Sequence, residues 1–339
     1  TSNNPKTVIE LWCRSREGHS VVLLVNGLSP YLEISDSQTI GNQEPTKSLE
    51  VVSQMSEVTE PPTLVGKKLS QDGKLRNHYK VMVRDTRFVR NLRNRLIENG
   101  WTVTSADILF VHRLLLDLNL GPHIATNGEV LWAGPRAPSE FANKFEGKRV
   151  EAAENIRDIG GSGLYPCDMV ISCNLADLSQ TNPFPTPFVT LSLDLETSVR
   201  HNTILCAAVV VARGEQRTEY EFRGSEKEIL EGMTRLVRDE DPDFITGYNI
   251  DNFDLPRVIE RAEENAGKSK FEQAALCGWG RVPAIESESK RLSPERAINR
   301  VWRLTGRIPM DAWWQVRQTL RPERESLRFV ANMLWPEAE

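Results

Sequence analysis

The chain has 339 residues, of which 39% are hydrophobic and 26% are charged, and its formal net charge is −5. These values exclude an intrinsically disordered chain, and no apolar run approaches the roughly 20 residues that a membrane-spanning helix needs. The first residues lack the basic and then apolar layout of a secretion signal, so we expect a cytoplasmic protein with no membrane partner. The length predicts two or three domains.

The positions of the cysteine, histidine and charged residues exclude some classes of functional site. The five cysteines and five histidines are scattered without Cys-x-x-Cys or His-Glu-x-x-His spacing, so neither a zinc site nor a disulfide framework is expected. An acidic chain does not grip DNA over its whole surface, so any DNA contact must be local. Basic residues dominate positions 76–95 and acidic residues prevail at 226–264. A solvated helix face would explain the basic run equally well.

The first half of the chain has the pattern of a mixed α+β domain. Its predicted elements are strands at 7–13, 21–26, 31–34, 79–83 and 101–106 and a helix that begins near residue 88 and ends at Gly100. Residues 35–76 are polar, which predicts a long excursion or mobile loop. Glycine-rich residues 160–163 and proline-spaced residues 182–188 predict connectors. We therefore place a domain boundary between residues 1–187 and 188–339.

The second half predicts three consecutive strands followed by helix, strand and helix. The strands are expected at 188–195, 204–212, 218–222 and 243–247 and the helices at 226–237 and 257–264. Ser225 and Glu228 have the spacing of a capping box for the first of these helices, and Pro256 suits the first turn of the second. This element order is that of an RNase H-like nuclease core.

Two acidic residues in the first of these strands share one face. Side chains at i and i+2 of a strand point the same way, so Asp194 and Glu196 lie together while Leu193 and Leu195 point into the core. Two neighbouring carboxylates repel each other unless a cation lies between them, and oxygen ligands suit Mg²⁺ or Mn²⁺. An Asp-x-Glu pair at an exposed strand end is also common without any function.

A second segment, Tyr-Asn-Ile-Asp-Asn-Phe-Asp-Leu-Pro at 248–256, follows a predicted strand and leads into a helix. Asp254 lies at the helix entrance, where it can cap the helix or face a metal ion. Asn249 and Phe253 are residue types that hydrogen-bond to and stack on single-stranded DNA. Their structural alternatives are a turn residue and a core aromatic.

These motifs and their spacing resemble the first two exonuclease motifs of family B DNA polymerases. The stretch GRIPMDAWWQVR at 306–317 resembles the segment before the third motif, and residues 15–34 resemble the opening hairpin of the family. Residues 106–122 are similar to a family segment that in archaeal members helps to form a pocket for template uracil. The third motif, Tyr-x-x-x-Asp, and the polymerase palm motifs do not occur. The resemblance therefore implies the N-terminal and 3′→5′ exonuclease region of a polymerase, with the remainder supplied in cis or in trans.

The resemblance also implies a mechanism and a set of partners. Hydrolysis of DNA would use two Mg²⁺ or Mn²⁺ ions, with Asp194 bridging both, Glu196 on one and Asp254 on the other, and with Asn249 and Phe253 on the single-stranded 3′ end. Asp311 is the one late candidate for a fourth carboxylate, but its surroundings match a structural position. Without the fourth carboxylate the isolated chain is expected to be weakly active or inactive.

A different role for the N-terminal half is implied by its archaeal resemblance. Archaeal members capture uracil of the template strand in a pocket, and Pro30, Val89, Phe110 and Arg113 fall on matching positions. These four residues would otherwise be ordinary core and surface positions. The alternative to an editing nuclease is accordingly a non-catalytic module that binds DNA or senses the template beside a separate polymerase subunit.

Overall fold

The computed structural model describes residues 7–36, 46–69, 73, 75–158, 165–281, 288–291 and 300–336. Its strands are β1 (Ile9–Arg14), β2 (Ser20–Asn26), β3 (Tyr31–Asp36), β4 (Thr63–Leu69), β5 (Leu75–Met82), β6 (Trp101–Thr104), β7 (Ile124–Thr126), β8 (Glu129–Ala133), β9 (Met169–Asn174), β10 (Leu178–Gln180), β11 (Val189–Thr197), β12 (Ile204–Arg213), β13 (Gln216–Arg223), β14 (Phe244–Gly247), β15 (Glu288–Arg291), β16 (Arg300–Arg303) and β17 (Ile308–Asp311). Its α-helices are α1 (Thr46–Ser53), α2 (Thr86–Glu98), α3 (Phe110–Asp117), α4 (Ser139–Ala142), α5 (Arg149–Asp158), α6 (Glu226–Glu240), α7 (Asp254–Ala266), α8 (Lys270–Cys277), α9 (Ala312–Gln315) and α10 (Leu327–Leu334). The predicted connector at 160–163 lies outside the described residues.

The first sheet has the strand order β1-β2-β9-β8, and the sequence predicts its opening hairpin. Arg14 pairs with Ser20 at the closed end of this hairpin. Gly18 in the turn has φ of +93°, a conformation that glycine adopts without steric cost. The predicted strands at 7–13 and 21–26 are therefore confirmed within two residues at their ends.

The second sheet, in the order β4-β5-β3-β6, corrects one prediction. Residues 35–76 were expected to form an irregular excursion, but α1 and β4 lie within them and β4 pairs with β5. Val52, Met55 and Val58 from this region are buried against the core of the second sheet. Polar composition misled the prediction because β4 is an exposed edge strand and its own side chains carry no core pattern.

The third sheet is the predicted nuclease core, in the order β13-β12-β11-β14-β17. Strands β13, β12 and β11 run antiparallel, whereas β14 and β17 run parallel to β11. Helix α6 begins at the predicted capping box, in which Ser225 accepts from the Glu228 N–H group. The RNase H-like prediction is confirmed, since the meander, the helix and the parallel strand come in the expected order.

The hydrophobic cores separate along the chain. Three clusters draw on residues before 180, and one large cluster draws on residues 189–304. Buried ion pairs join the two parts, because Arg14 of β1 donates to both carboxylate oxygens of Asp243 at 2.9 and 3.0 Å. Asp243 also accepts from Arg281 at 2.9 Å. The boundary at 187/188 remains a prediction. The ion pairs of Asp243 with Arg14 and Arg281 connect residues on the two sides of it.

Candidate nuclease site

The parallel arrangement of β11, β14 and β17 gathers their carboxyl ends at one edge of the third sheet. Leu191 is in register with Ile245, and Gly247 is in register with Asp311. Residues that follow these positions therefore meet in space, although up to 120 positions separate them in sequence. Ligand and catalytic sites of open α/β sheets are found at this edge.

The end of β11 carries the predicted acidic pair. Leu193 and Leu195 are 3% and 4% exposed, whereas Asp194 and Glu196 are exposed. The alternation follows from the strand geometry, since successive side chains point to opposite faces of the sheet. The two carboxylates thus lie on one face at the carboxyl edge, as the sequence predicts.

Asp254 is the third predicted carboxylate, and it lies against the same strand. It is the first residue of α7 and only 2% exposed, and its Oδ1 accepts the backbone N–H of Leu195 at 3.1 Å. Phe253, not Asp254, holds the N-cap position of α7, so Asp254 does not cap the helix.

The electrostatics of Asp254 tie it to Asp194. Burial and the negative charge of Asp194 raise the pKa of the Asp254 carboxyl to about 7, although the hydrogen bond from Leu195 lowers it. A cation that lies between two such carboxylates removes their repulsion. The structure therefore brings Asp194 and Asp254 together, while Glu196 shares only the strand face with Asp194.

The loop between β14 and α7 is held by Asp311, whose role the sequence indicated only in part. Its Oδ1 accepts the N–H groups of Asn249 at 2.7 Å and Trp313 at 2.9 Å, and its Oδ2 accepts that of Asp251 at 3.1 Å. Both oxygens are thus engaged by backbone donors, which is a structural arrangement and not that of a free ligand.

Asp251 is a buried acid that the sequence reasoning missed. It is 8% exposed, and burial together with the charge of Asp311 raises its pKa to about 6, against a lowering by a hydrogen bond from Trp314. Its backbone carbonyl accepts from the indole N–H of Trp302 at 2.8 Å. The only signal in the sequence was its position inside the segment 248–256, which predicts no burial by itself.

The two predicted DNA-binding residues take different environments in this loop. Asn249 has φ of 66°, a left-handed conformation that asparagine tolerates better than most residues, and its Oδ1 accepts from Asn252 at 3.0 Å. Phe253 is 38% exposed, with the Arg257 guanidinium 5.9 Å from its ring centroid. An exposed aromatic ring beside a cation is available for stacking, which a core aromatic would not be.

The carboxylates at this edge have the chemistry of metal ligands but do not form a close cluster. Within the described ranges, no three His, Cys, Asp or Glu side chains are gathered closely enough to hold a metal ion. The donor set nevertheless fits a hard divalent cation in kind, because it consists of carboxylate oxygens and one of them is destabilised by its neighbour's charge.

The four residues of the predicted uracil pocket are spread over two cores. Val89 of α2 packs against the core of the second sheet, and Phe110 of α3 packs against that of the first. Pro30 is buried in the link between the two sheets, where its carbonyl accepts from Val83 at 2.7 Å. Arg113 lies over the ring of Tyr31, 4.0 Å from the centroid. Of the four residues, Pro30 and Arg113 are thus linked, because Arg113 stacks on Tyr31 and Tyr31 directly follows Pro30.

The chain is similar to DNA polymerases of family B in part of its sequence. Residues 169–330 match the family model of the DNA polymerase family B exonuclease domain. A DNA polymerase of Archaeoglobus fulgidus is 25% identical over 264 residues, covering 76% of this chain and 29% of that protein. The DNA polymerase delta catalytic subunit of rice is 24% identical over 299 residues, covering 77% of this chain and 26% of the subunit.

A solved structure has the same fold. The family B DNA polymerase of Pyrobaculum calidifontis superposes with a TM-score of 0.59 at 20% identity, over 93% of this chain and 37% of that one. The chain therefore spans between about a quarter and two fifths of the length of these relatives. Across the described residues, no helix is both long and apolar enough to cross a bilayer.

Proposed function

We propose that this chain, whose residues 169–330 match the exonuclease domain of family B DNA polymerases, edits DNA by 3′→5′ hydrolysis as part of an intracellular polymerase. The observation that supports this most strongly is the meeting of Asp194 and Asp254 at the carboxyl edge of the third sheet. They come from separate motifs, and the charge of one raises the pKa of the other. Such a pair of carboxylates is suited to bind divalent cations.

Each residue of the site has a distinct part in this proposal. Asp194, Glu196 and Asp254 would hold two Mg²⁺ or Mn²⁺ ions, with Asp194 shared between them. Bound ions of this kind lower the pKa of water and stabilise charge on the attacking and leaving oxygens. The backbone N–H of Leu195 orients Asp254, and burial keeps water from screening its charge. Phe253 and Asn249 would receive the frayed 3′ end, which favours mismatched ends because they unpair more readily.

Activity of this chain alone is expected to be weak, because its sequence contains no Tyr-x-x-x-Asp motif after residue 256. The test is digestion of a 3′-labelled single-stranded oligonucleotide with Mg²⁺ or Mn²⁺, with and without the remaining polymerase domains. The longer form should digest mismatched primer ends faster than matched ones, and Asp194→Ala should abolish this activity. Equal rates on matched and mismatched ends, or persistence in Asp194→Ala, would contradict the proposal.

A second function, recognition of template uracil, is favoured by the position of Arg113. Its side chain is buried, donates to the carbonyl oxygen of Ser105 and stacks on Tyr31, the residue after Pro30. A tight wall at Pro30 would exclude the 5-methyl group of thymine, and discrimination by one methyl group is worth about 1–3 kcal/mol. The exposed arginines of α2 would then contact the template backbone.

Two oligonucleotides that differ only by uracil in place of thymine distinguish a uracil-selective pocket from non-selective DNA binding. Tighter binding of the uracil strand in an anisotropy titration, lost in Arg113→Lys, would support the pocket. Arg90→Ala is the matched control, because Arg90 is an exposed cation of α2 and its loss should weaken both strands equally. Equal affinity of the native chain for both strands would leave the N-terminal half as scaffold or as a non-selective DNA-binding module.

A further inference from the structure

Two adjoining cavities lie beside β8 and α5, away from the carboxylates described above. Their volumes are about 440 and 200 Å³. Trp132, Gly134, Pro135 and Arg149 line both, and Arg238 of α6 lines the smaller one. The described lining residues of the two cavities include none of the acids at the edge of the third sheet.

The charge balance of these cavities is positive. Arg136 is neutralised, because its Nε donates to Asp168 at 2.8 Å. Among the described residues, Arg238 donates to one acceptor, the carbonyl oxygen of Ala274, at 2.7 Å. Among the residues that the structure describes, the Arg149 side chain has neither a salt bridge nor a hydrogen bond. Among the described residues, two carboxylates line the cavities, and Asp168 is already paired with Arg136. Glu146 is the other. Two cations thus face one acid.

An aromatic wall accompanies these cations. The Arg149 guanidinium lies 5.2 Å from the centroid of the Trp132 ring. Gly134 packs directly on the edge of that ring, since a Cβ atom there would be 2.7 Å from Trp132 Cη2. A planar base can replace the guanidinium on the indole, because both groups bind through the same π-face. The displaced arginine would remain within the cavity as a cation.

We propose that these cavities bind a nucleoside 5′-monophosphate, with the base on Trp132 and the phosphate on Arg149 and Arg238. Arginine is the side chain best matched to phosphate, since its planar fork donates two parallel hydrogen bonds. The larger cavity, at about 440 Å³, lies within the range of small-molecule sites, about 300–1,000 Å³, and the smaller one, at about 200 Å³, adjoins it. The assignment rests on Arg149, Arg238 and Trp132 and does not depend on the editing function.

Calorimetric titration of the whole chain with AMP, adenosine and inorganic phosphate, in the presence of EDTA, tests this site. AMP should bind saturably and more tightly than either of its parts. Arg149→Gln should weaken AMP binding about tenfold or more, the loss expected for a charge-assisted bidentate contact. Arg217→Gln removes an exposed cation of β13 and should leave binding unchanged.

Further variants make each outcome decisive. Arg238→Gln should weaken AMP and phosphate alike, and Trp132→Phe, which keeps an aromatic face, should retain binding if the melting temperature shows a folded chain. Asp194→Asn should bind AMP as the native chain does. Loss of binding in Asp194→Asn would place the ligand in the nuclease site and overturn the proposal. Phosphate binding as tightly as AMP would overturn the nucleotide assignment, and no saturable binding of AMP would overturn the site.

Discussion

Replacement of Asp254 by asparagine isolates the electrostatic strain of the nuclease site. Asparagine keeps the shape of the side chain and the Oδ1 that accepts the N–H of Leu195, but it cannot ionise. The native carboxyl is buried, and burial and the charge of Asp194 raise its pKa from 3.8 to about 7. The substitution therefore removes an unfavourable charge while leaving the packing in place.

The size and sign of the effect follow from this shift. A rise of the pKa from 3.8 to about 7 means that ionisation of folded Asp254 costs at most about 4 kcal/mol. Between about pH 4 and pH 7 the folded chain binds more protons than the unfolded chain, so the free energy of unfolding falls as the pH rises through that window. Asp254→Asn should be more stable than the native chain by up to about 4 kcal/mol near pH 8.5 and should match it near pH 4.

Urea unfolding followed by circular dichroism at several pH values measures this difference. Asp107→Asn is the matched control, because Asp107 is exposed and the same substitution there should change little. Asp251, whose pKa is raised to about 6, adds a pH dependence of the same sign to both proteins and cancels in the comparison. Mn²⁺ should stabilise the native chain near pH 8.5 and should have less effect on Asp254→Asn.

Two results would contradict this prediction: Asp254→Asn could be less stable than the native chain near pH 8.5, or the difference between the two proteins could stay constant with pH. Either result would mean that Asp254 is not held as a strained carboxylate beside Asp194. An Mn²⁺ effect that is equal in both proteins would instead remove Asp254 from the metal site.

Three further substitutions test the scaffold by urea unfolding. Arg14→Ala should lower the free energy of unfolding by about 3 kcal/mol, because it breaks a buried pair with Asp243; a loss no larger than that in the exposed Arg200→Ala would contradict this. Ser225→Ala should cost about 1 kcal/mol by removal of the α6 cap, whereas Ser225→Asp should be nearly neutral, and equal losses would show that the cap is unimportant. Gly247→Ala should cost about 1–3 kcal/mol, since its Cβ would lie 2.5 Å from the Leu193 carbonyl oxygen; an unchanged midpoint would show that the loop yields freely.

Local patterns in the sequence determined most of the third sheet. The alternation of leucine with Asp194 and Glu196 predicted which side of β11 faces solvent, and the structure confirms it. The spacing of Ser225 and Glu228 predicted where α6 begins. These predictions succeed because strand alternation and helix capping depend on residues only a few positions apart.

Tertiary structure decided what these elements bring together. The exposed edge strand β4 has no periodic core pattern, so Thr63–Leu69 could be assigned to a strand only once β5 lay beside it. The hydrogen bond from the Leu195 N–H to Asp254 connects residues 59 positions apart. The hydrogen bond from the Asn249 N–H to Asp311 connects residues 62 positions apart. The raised pKa of Asp254 depends on burial and on the charge of Asp194, and neither is a property of the residue itself. Sheet order and packing set these quantities, because they fix which distant segments share a low-dielectric interior.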